Sequence, residues 1–429
     1  MVSSHSSTSP AAPVKAAESS SISGSMVPAM FLALGTFAIG TEGFMIAPLL
    51  STIAADFRMS VSEVALLVVV FTLTMAVSSP ISTVLTSRWR RRDTLVLAMV
   101  IFSVGNVLAA WSPNFRILMA ARVLMALASG LYVPNANALA GVIVSPVKRG
   151  MALAIVSGGM TIAIALGLPL GALVGHAFGW RSTFLAVAAM SMAAIFGVLF
   201  GVSRQAGAGI PVATLTQRVS VLRHPTILRL LSISLFWSIG AYTVYPYIAP
   251  YLADVLGFGV VGVNATVSMW GLAAAFGVTT GGALNDRFGS GRVARLSLLG
   301  LGLAFWILAL CTQLTPGNAL IPALAGIAAW GFTVWAFFPA QMARLIAAGS
   351  PAQAPLALAL NTSTMYLGFS IGSALGAVIL STGSIWAIVL IAGAAEMAAL
   401  GLDCRAPPAR QENGGICAEA DATHQEKSP

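Results

Sequence analysis

The sequence predicts an all-α membrane protein in which twelve transmembrane helices form two parallel repeats of six helices. Three observations predict this fold: an apolar composition, twelve apolar runs of spanning length, and segments that recur at a nearly constant distance along the chain. Of the 429 residues, 58% are hydrophobic and 8% are charged, and the mean hydropathy is +0.90. Soluble domains contain roughly 25% charged residues. The composition therefore indicates an integral membrane protein.

The predicted helices follow from the lengths of the apolar runs. A helix needs about 20 predominantly apolar residues to cross a bilayer, and runs of that length alternate with short polar or Pro- and Gly-containing breaks. The predicted spans are Val27 to Leu50, Val64 to Leu85, Thr94 to Trp111, Ile117 to Val144, Met151 to Phe178, Thr183 to Val202, Ile227 to Leu252, Val260 to Leu284, Val293 to Thr312, Ala319 to Ile346, Ala354 to Ser381 and Ile385 to Leu402.

Three matching segments indicate that the chain is duplicated. IAPLL, from Ile46, matches IAPYL, from Ile248, and GLPLGALV, from Gly167, matches GSALGAVI, from Gly372. A weaker match joins the loops after the second and eighth spans, and all three matches lie about 200 residues apart. Because that distance spans six helices, both copies cross the membrane in the same direction. The predicted parts are a disordered tail (1–26), a six-helix bundle (27–203), a cytoplasmic linker (204–226), a second six-helix bundle (227–403) and a second disordered tail (404–429).

The basic residues predict the orientation. If both termini are cytoplasmic, fourteen Lys and Arg residues lie in or beside inner loops and three, Arg58, Arg116 and Arg181, lie in outer loops. An excess of Lys and Arg on the cytoplasmic side is the usual rule for membrane proteins. We therefore predict a multi-pass protein of the cytoplasmic membrane. The net charge of +9 then reflects topology and contact with the lipid bilayer, and nucleic-acid binding is disfavoured.

The loop after the eighth span carries a specific motif. It contains the pattern G-x-L-x-D-R-x-G, formed by Gly282, Leu284, Asp286, Arg287 and Gly289. This pattern is the loop signature of the major facilitator superfamily, which the chain resembles from about Val27 to Leu402. Within that family the chain resembles the bacterial drug:proton antiporters that include chloramphenicol, arabinose or sugar, and purine-nucleoside exporters. The resemblance implies a gating role for Asp286 and Arg287, because such a loop joins two helices at the cytoplasmic face. A basic anchor without a gating role is the alternative.

The corresponding loop of the first half departs from the signature. Thr83, Ser87 and Arg90 occupy its Gly, Asp and Gly positions, and Arg88 is retained. The resemblance assigns Arg88 to gating and leaves no such role for Ser87. The named exporters often show the same departure.

The fifth span contains a small-residue surface around a proline. GLPLGALVG resembles the antiporter motif of the family, with Leu168 inserted between a Gly and a Pro that are adjacent in the strict motif. The resemblance implies that Gly167, Pro169 and Gly171 take part in gating. Plain helix packing through small residues is the competing interpretation.

Glu42 is an acid within the first predicted span. A charged side chain at the bilayer centre costs about 3 kcal/mol on insertion scales, so its presence in an apolar helix calls for an explanation. At helical spacing Glu42 shares a face with Ala38 and Gly35, which predicts that it faces other helices. Thr41-Glu42-Gly43-Phe44 is similar to the TEF-like segments of the drug exporters.

Arg122 in the fourth span is the predicted partner of Glu42. Counting about 1.5 Å per residue from the outer helix ends places the two residues at comparable depth. Arg122 also stands at the Arg of the family motif R-x-x-x-G, although Ala126 replaces the Gly. We predict that Glu42 exchanges a proton and that Arg122 stabilises its ionised form. A static ion pair that holds two helices together is the alternative.

Polar aromatic and amide residues predict the substrate cavity. The family resemblance implies that helices 1, 4, 7 and 10 line a central cavity bordered by helix 11. The predicted substrate-binding residues are Tyr242 and Tyr245 in the seventh span, Trp330 in the tenth, and Asn361 and Tyr366 in the eleventh. Tyrosines can both stack on flat solutes and donate hydrogen bonds. This set suits a small, neutral or weakly polar organic compound.

Three other polar residues of the spans are expected near the membrane surfaces. Glu396 in the last span is expected in its cytoplasmic half, from which its side chain can extend toward the headgroups. Tyr247 and Tyr251 lie near the outer end of the seventh span, where an interfacial aromatic belt is expected. None of the three is assigned to the substrate site.

The predicted function is proton-coupled export of such a compound by alternating access, with no cofactor, no metal site and a monomeric protein. A sugar or purine-nucleoside exporter, or an importer, is the alternative on the same fold. A membrane-embedded enzyme is disfavoured, because only four His residues are present and three lie outside the predicted spans. A sensor without transport activity is a further alternative, although the tails contain no recognisable signalling domain.

Overall fold

The computed structural model describes residues 26–86, 88–207, 221, 223–349 and 353–405. In this part of the chain all regular secondary structure is helical. Twelve helices are long and apolar enough to cross a membrane, as predicted. They are α1 (Val27–Phe57), α2 (Val61–Ser82), α3 (Arg91–Ala110), α4 (Phe115–Ala140), α5 (Arg149–Phe178), α6 (Trp180–Gly201), α7 (Pro225–Leu256), α8 (Val260–Phe288), α9 (Ser290–Cys311), α10 (Pro316–Ala347), α11 (Ala354–Ser381) and α12 (Ile385–Cys404).

Several helices continue beyond their predicted ends. α1 reaches Phe57 rather than Leu50, α7 reaches Leu256 rather than Leu252, and α8 reaches Phe288 rather than Leu284. The polar end of α1 is held in place because Asp56 accepts hydrogen bonds from Arg181 at 2.6 Å and from Trp180 at 3.2 Å. Arg58 then ends the helix with a left-handed backbone, φ 56°. Most of the predicted tails and of the predicted linker lies outside the described residues, and Cys404, the predicted start of the second tail, is the last residue of α12.

Two helices contain turns with a different hydrogen-bond spacing. α5 has a π-helical turn over Ala163–Gly167, directly before the segment that contains Pro169. α7 has a 3-10 turn over Tyr245–Tyr247, centred on Pro246. Proline has no N–H to donate, so the regular helical ladder is interrupted near it. Both irregular turns lie next to the cavity described below.

Helix packing repeats with a shift of six helices. In the first half α1 packs against α5 and α6, α2 against α4, and α3 against α4 and α6. In the second half α7 packs against α11 and α12, α8 against α10, and α9 against α10 and α12. Each pair of the first half therefore has its equivalent in the second. The two sets meet where α2 contacts α11 and α5 contacts α8.

Candidate functional site: a buried ion pair beside a central cavity

Glu42 of α1 and Arg122 of α4 form an ion pair inside the helical bundle. Both side chains are fully buried, and Nη1 of Arg122 contacts Oε1 of Glu42. Nearby, Gly35 of α1 lies so close to Tyr132 of α4 that no larger residue fits there. The small-residue face of α1 thus brings α4 close enough for the two charges to meet. The structure places the side chains together, and their role in proton exchange stays a prediction.

Arg122 also has contacts beyond Glu42. Its Nε donates to the carbonyl of Leu67 in α2 at 3.3 Å, and its guanidinium lies over the ring of Phe71, 4.2 Å from the centroid. A cation on an aromatic face in a desolvated site is stabilised by the ring quadrupole. Arg122 therefore has favourable neighbours that do not depend on the carboxylate.

A cavity of about 730 Å³ lies between the two halves. Arg122 contributes to its wall and Glu42 does not, so Arg122 is the member of the ion pair that borders the cavity. Arg122 is also the one charged side chain among the described lining residues. The wall is otherwise built from apolar side chains and a few hydroxyl, tyrosine and asparagine groups. A cavity of this size accommodates a drug-sized organic molecule.

The cavity occupies one end of the bundle, where α1 begins and α12 ends, which we call the terminal end. Its lining residues in α1 run from Thr36 to Phe44, and those in α10 from Trp335 to Ile346, near the last turn of that helix. Ser157 and Ile346, which line it near the terminal end, are exposed. The cavity therefore reaches the surface at that end.

Aromatic side chains close the other side of the cavity. Tyr245 packs against Phe44 at 5.8 Å between ring centroids and against Trp270 at 4.9 Å, and Trp335 packs on Phe44 at 6.0 Å. Tyr245 also donates a hydrogen bond to the carbonyl of Phe44, at 2.8 Å. We call Phe44, Tyr245, Trp270, Trp330 and Trp335 the aromatic layer. Because Phe44 belongs to the first half and the rest to the second, this layer joins the halves.

A second hydrogen bond joins the halves near the same depth. Ser370 of α11 donates to the carbonyl of Val69 in α2, at 3.0 Å. Gly271 of α8 lies directly against the carbonyl of Ile164 in α5, where a Cβ would come within 2.5 Å of that oxygen. Together with the aromatic layer these contacts hold the bundle closed on the side away from the terminal end.

The structure separates the predicted substrate-binding residues into two groups. Tyr242 and Tyr366 line the cavity, and each packs on Phe369, Tyr242 by stacking at 3.8 Å between centroids. Tyr245 and Trp330 instead lie buried within the aromatic layer. Tyr245 and Trp330 lie only slightly deeper in the bundle than Tyr242 and Trp335. The sequence alone therefore does not distinguish them from residues that line the cavity.

Asn361 also lies behind the cavity wall. Its side chain is buried, and its Nδ2 is 3.3 Å from the sulfur of Met365 and 4.0 Å from that of Met342. Both methionines line the cavity. Asn361 therefore supports the wall in this structure and does not form it.

The residues predicted to gate the transporter lie in two different settings. Arg88, Asp286 and Arg287 are exposed. The hydrogen bonds and ion pairs found within the described ranges include none of Asp286. Arg287 instead lies 5.3 Å from the ring of Phe288.

The predicted gating residues of α5 pack against α1. A Cβ at Gly167 would collide with Thr41, and one at Gly171 would lie 2.8 Å from Cβ of Met45. Pro169 follows the π-helical turn and is partly buried. This arrangement supplies the close packing expected of a small-residue surface and places it beside Glu42.

The structure corrects the expectations for Glu396, Tyr247 and Tyr251. Glu396 does not extend toward the membrane surface, since it is fully buried in the middle of α12. Tyr247 and Tyr251 do not form an interfacial belt, since both are buried and donate hydrogen bonds to the carbonyls of Ser373 and Leu308. In each case a neighbouring helix covers a face that the sequence pattern alone assigns to the interface.

Several lining residues were not anticipated from the sequence. The methionines Met75, Met160, Met342 and Met365 line the cavity, as do Phe71 and Phe338. Methionine and phenylalanine are common throughout a membrane protein, so composition does not mark these positions. Their depth along the helices, compared with the depth of Glu42, was the one feature of the sequence that could have indicated that they line the cavity.

Comparison with known proteins adds a finding about ancestry. The family model described as Major Facilitator Superfamily matches residues 32–345 and 231–416. The chain is 30% identical over 370 residues to the "Uncharacterized MFS-type transporter YbcL" of Bacillus subtilis, covering 86% of this chain and 93% of that protein. It is 32% identical over 265 residues to a "Chloramphenicol resistance protein" of Streptomyces lividans, covering 61% and 67% of the two chains.

A solved structure has the same fold. The crystal structure of a bacterial homolog of the human lysosomal transporter Spinster, described as inward-facing and unoccupied, aligns with a TM-score of 0.64 at 19% identity. The alignment covers 88% of this chain and 94% of that one.

Proposed function

Because the chain belongs to the major facilitator superfamily, whose members are membrane transporters and not enzymes, we propose that it exports a small organic compound in exchange for protons. The observation that carries this proposal is the buried Glu42–Arg122 pair, of which Arg122 lines the cavity. The substrate is a neutral or weakly polar, drug-like molecule. The resistance named for the Streptomyces lividans relative supports the same class.

Proton coupling follows from the chemistry of the pair. While Glu42 is ionised, the attraction of Arg122 offsets the cost of burying its charge. When Glu42 takes up a proton, the attraction disappears and Arg122 retains its contacts with Leu67 and Phe71. A ligand shifts a conformational equilibrium only through different affinities for the two states. The proton acts as such a ligand if the pair is formed in one state and separated in the other.

The cavity wall favours a drug-like substrate over a sugar or nucleoside. Sites for polyhydroxylated molecules need many fixed hydrogen-bonding groups, whereas this wall is mainly apolar. Its methionines are flexible and polarisable, which suits substrates of varied shape. Tyr242 and Tyr366 supply aromatic surfaces with a polar tip. A moderately hydrophobic compound with a flat group and hydrogen-bond acceptors fits this combination.

Transport in proteoliposomes tests the coupling. With radiolabelled chloramphenicol as the probe and an imposed pH gradient, we expect accumulation on the acidic side and its loss when an uncoupler is added. Glu42→Gln should transport, if at all, without dependence on the gradient. Glu63→Gln, which changes an exposed acid in the cap of α2, is the matched control and should behave as the wild type. Full pH dependence in Glu42→Gln would refute the coupling role.

The direction, location and oligomeric state are part of the same proposal. We infer a monomer in the cytoplasmic membrane. Both termini are inferred to be cytoplasmic, since fourteen of the counted basic residues would then lie on the cytoplasmic side. The cavity would then open to the cytoplasm. Expression in an exporter-deficient host should raise resistance to amphenicols or dyes, and an uncoupler should abolish the effect. Reporter fusions to each terminus test the orientation, and light scattering of the purified protein tests the mass.

A further inference from the structure

Glu396 of α12 is a second fully buried carboxyl group, and the proposed coupling does not use it. It lies eight residues before the end of α12, about 12 Å along the helix axis, and its side chain is 0% exposed. It extends between α7 and α9. Its surroundings differ from those of Glu42, because a glycine and not a guanidinium faces it.

The neighbouring helix α7 leaves room for the carboxyl group. Gly240 of α7 faces it, and a Cβ on Gly240 would collide with Oε1 of Glu396 and approach the carbonyl of Ala392 at 2.9 Å. Gly302 of α9 makes room chiefly for the neighbouring Met397, and a Cβ there would be 3.4 Å from Cβ of Glu396. Gly240 is therefore the glycine that makes room for the carboxyl group.

Neither carboxyl oxygen has a hydrogen-bond partner among the described residues, and no salt bridge there involves Glu396. The titratable groups on the surrounding helices are directed elsewhere. On α7, Tyr242 faces the cavity, Tyr247 binds Ser373 of α11 and Tyr251 binds Leu308 of α9. The charged groups at the terminal ends are occupied or distant: Arg295 and Arg344 both bind Asp403, and Arg229 and Arg292 lie near the starts of α7 and α9.

We propose that Glu396 is a second proton-binding site, which carries a proton in this state and needs it for α7 to pack against α12. A buried carboxylate without a counter-ion is strongly disfavoured, so a proton is the ligand that makes this pocket acceptable. Loss of the proton would place a negative charge against the backbone of α7 at Gly240. The proposal does not depend on coupling at Glu42.

The site acts on the cavity through α7. Gly240 lies two residues before Tyr242, which lines the cavity, and five before Tyr245, which binds Phe44 in the aromatic layer. A displacement of α7 at Gly240 would therefore reach both the cavity wall and the contact that joins the halves. Proton release at Glu396 is a means for the second half to respond to pH by itself.

Infrared spectroscopy tests the occupancy directly. In the purified full-length protein at neutral pH, we expect a carbonyl stretch of a protonated carboxyl group that is absent from Glu396→Gln. Glu42→Gln is the matched control and should leave that band unchanged, because Glu42 is paired with Arg122. Identical spectra of wild type and Glu396→Gln in this region would overturn the proposal. Because this measurement needs no transport, its failure is distinct from a failure of the proposed function.

A distance measurement tests the effect on α7. Leu228 on α7 and Gly401 on α12 are both exposed, so spin labels can be attached there through Leu228→Cys and Gly401→Cys. The native cysteines are changed to Ser. We expect the distance between the two labels to increase as the pH is raised. In the Glu396→Gln background the distance should stay constant. A distance that is independent of pH in the wild-type background would overturn the role in packing.

Discussion

The two halves of the molecule bury their glutamates in different ways. In the first half Glu42 contacts the guanidinium of Arg122, a residue that lines the cavity. In the second half the carboxyl group of Glu396 lies against Gly240, without a hydrogen-bond partner among the described residues. A repeated fold therefore does not repeat its electrostatics. One half balances a buried carboxyl group with a fixed positive charge, and the proposal for the other is a bound proton. The variants below test this contrast, from the largest expected effect to the smallest.

Arg122→Leu should cause the largest loss of stability. It leaves Glu42 buried without a counter-charge, and breaking one partner out of a buried pair costs about 3–5 kcal/mol. Adding Glu42→Gln should recover most of that loss, because the remaining group is then neutral. Thermal unfolding in detergent, followed by tryptophan fluorescence, measures both. If the single and double variants melt at the same temperature, the pair does not behave as a coupled unit.

Asp403→Asn tests a paired acid within the second half. Asp403 is buried and binds Arg344 as well as Arg295, which approaches at 3.2 Å. Hydrogen bonds to charged groups contribute about 1.5–3 kcal/mol, and the exposure of Arg295 should reduce the loss toward the lower value. The same melting assay, with Asp254→Asn on an exposed acid of α7 as the control, measures the change. A loss as large as that of Arg122→Leu would remove the distinction between the two sites.

Gly240→Ala tests the pocket of Glu396. The added methyl group would meet Oε1 of Glu396 and the backbone of Ala392, and overpacking of this kind costs about 1–3 kcal/mol. Gly282→Ala is the matched control, because no atom lies within 4 Å of the position that its methyl group would take and alanine favours helix. We expect a lower melting temperature for the first variant and an equal or higher one for the second. Equal effects would mean that α12 yields easily at this contact.

Tyr245→Phe should have the smallest effect on stability and a distinct effect on conformation. It removes one hydrogen bond to Phe44, which contributes about 1 kcal/mol, and keeps the aromatic ring. Since that bond joins the halves, its loss should shift the population toward the state open on the side away from the terminal end. The rate at which a thiol reagent labels a cysteine introduced beyond the aromatic layer, compared between the wild type and Tyr245→Phe, would report the shift. Unchanged labelling would show that ring packing alone closes this side.

Much of the fold could be predicted from the sequence because lipid imposes strong constraints. Apolar runs of fixed length indicate the twelve helices, and the recurrence of IAP and LGA segments indicates the six-helix repeat. The contact between Glu42 and Arg122 was also accessible, since helical spacing and depth place both residues on inward faces. These features depend on periodicity and length, which a sequence contains.

The composition of the cavity wall was less accessible. Tyr245, Trp330 and Asn361 have the residue types of a binding site, yet each lies behind the wall. Whether a side chain reaches a cavity depends on the rotation of its helix, and irregular turns at Ala163–Gly167 and Tyr245–Tyr247 change that rotation locally. The burial of the carboxyl group of Glu396 likewise depends on Gly240 of α7, which no pattern within α12 reports.

The π-helical turn at Ala163–Gly167 has a consequence for how α5 is assembled. A single-turn π-bulge contains one residue more than the ordinary helix around it. If the same residues were wound as a regular α-helix, everything after the turn would be rotated by about 100°. Gly167 and Gly171 would then no longer face Thr41 and Met45 of α1. The widened turn thus sets which face of the second part of α5 is presented to its neighbours.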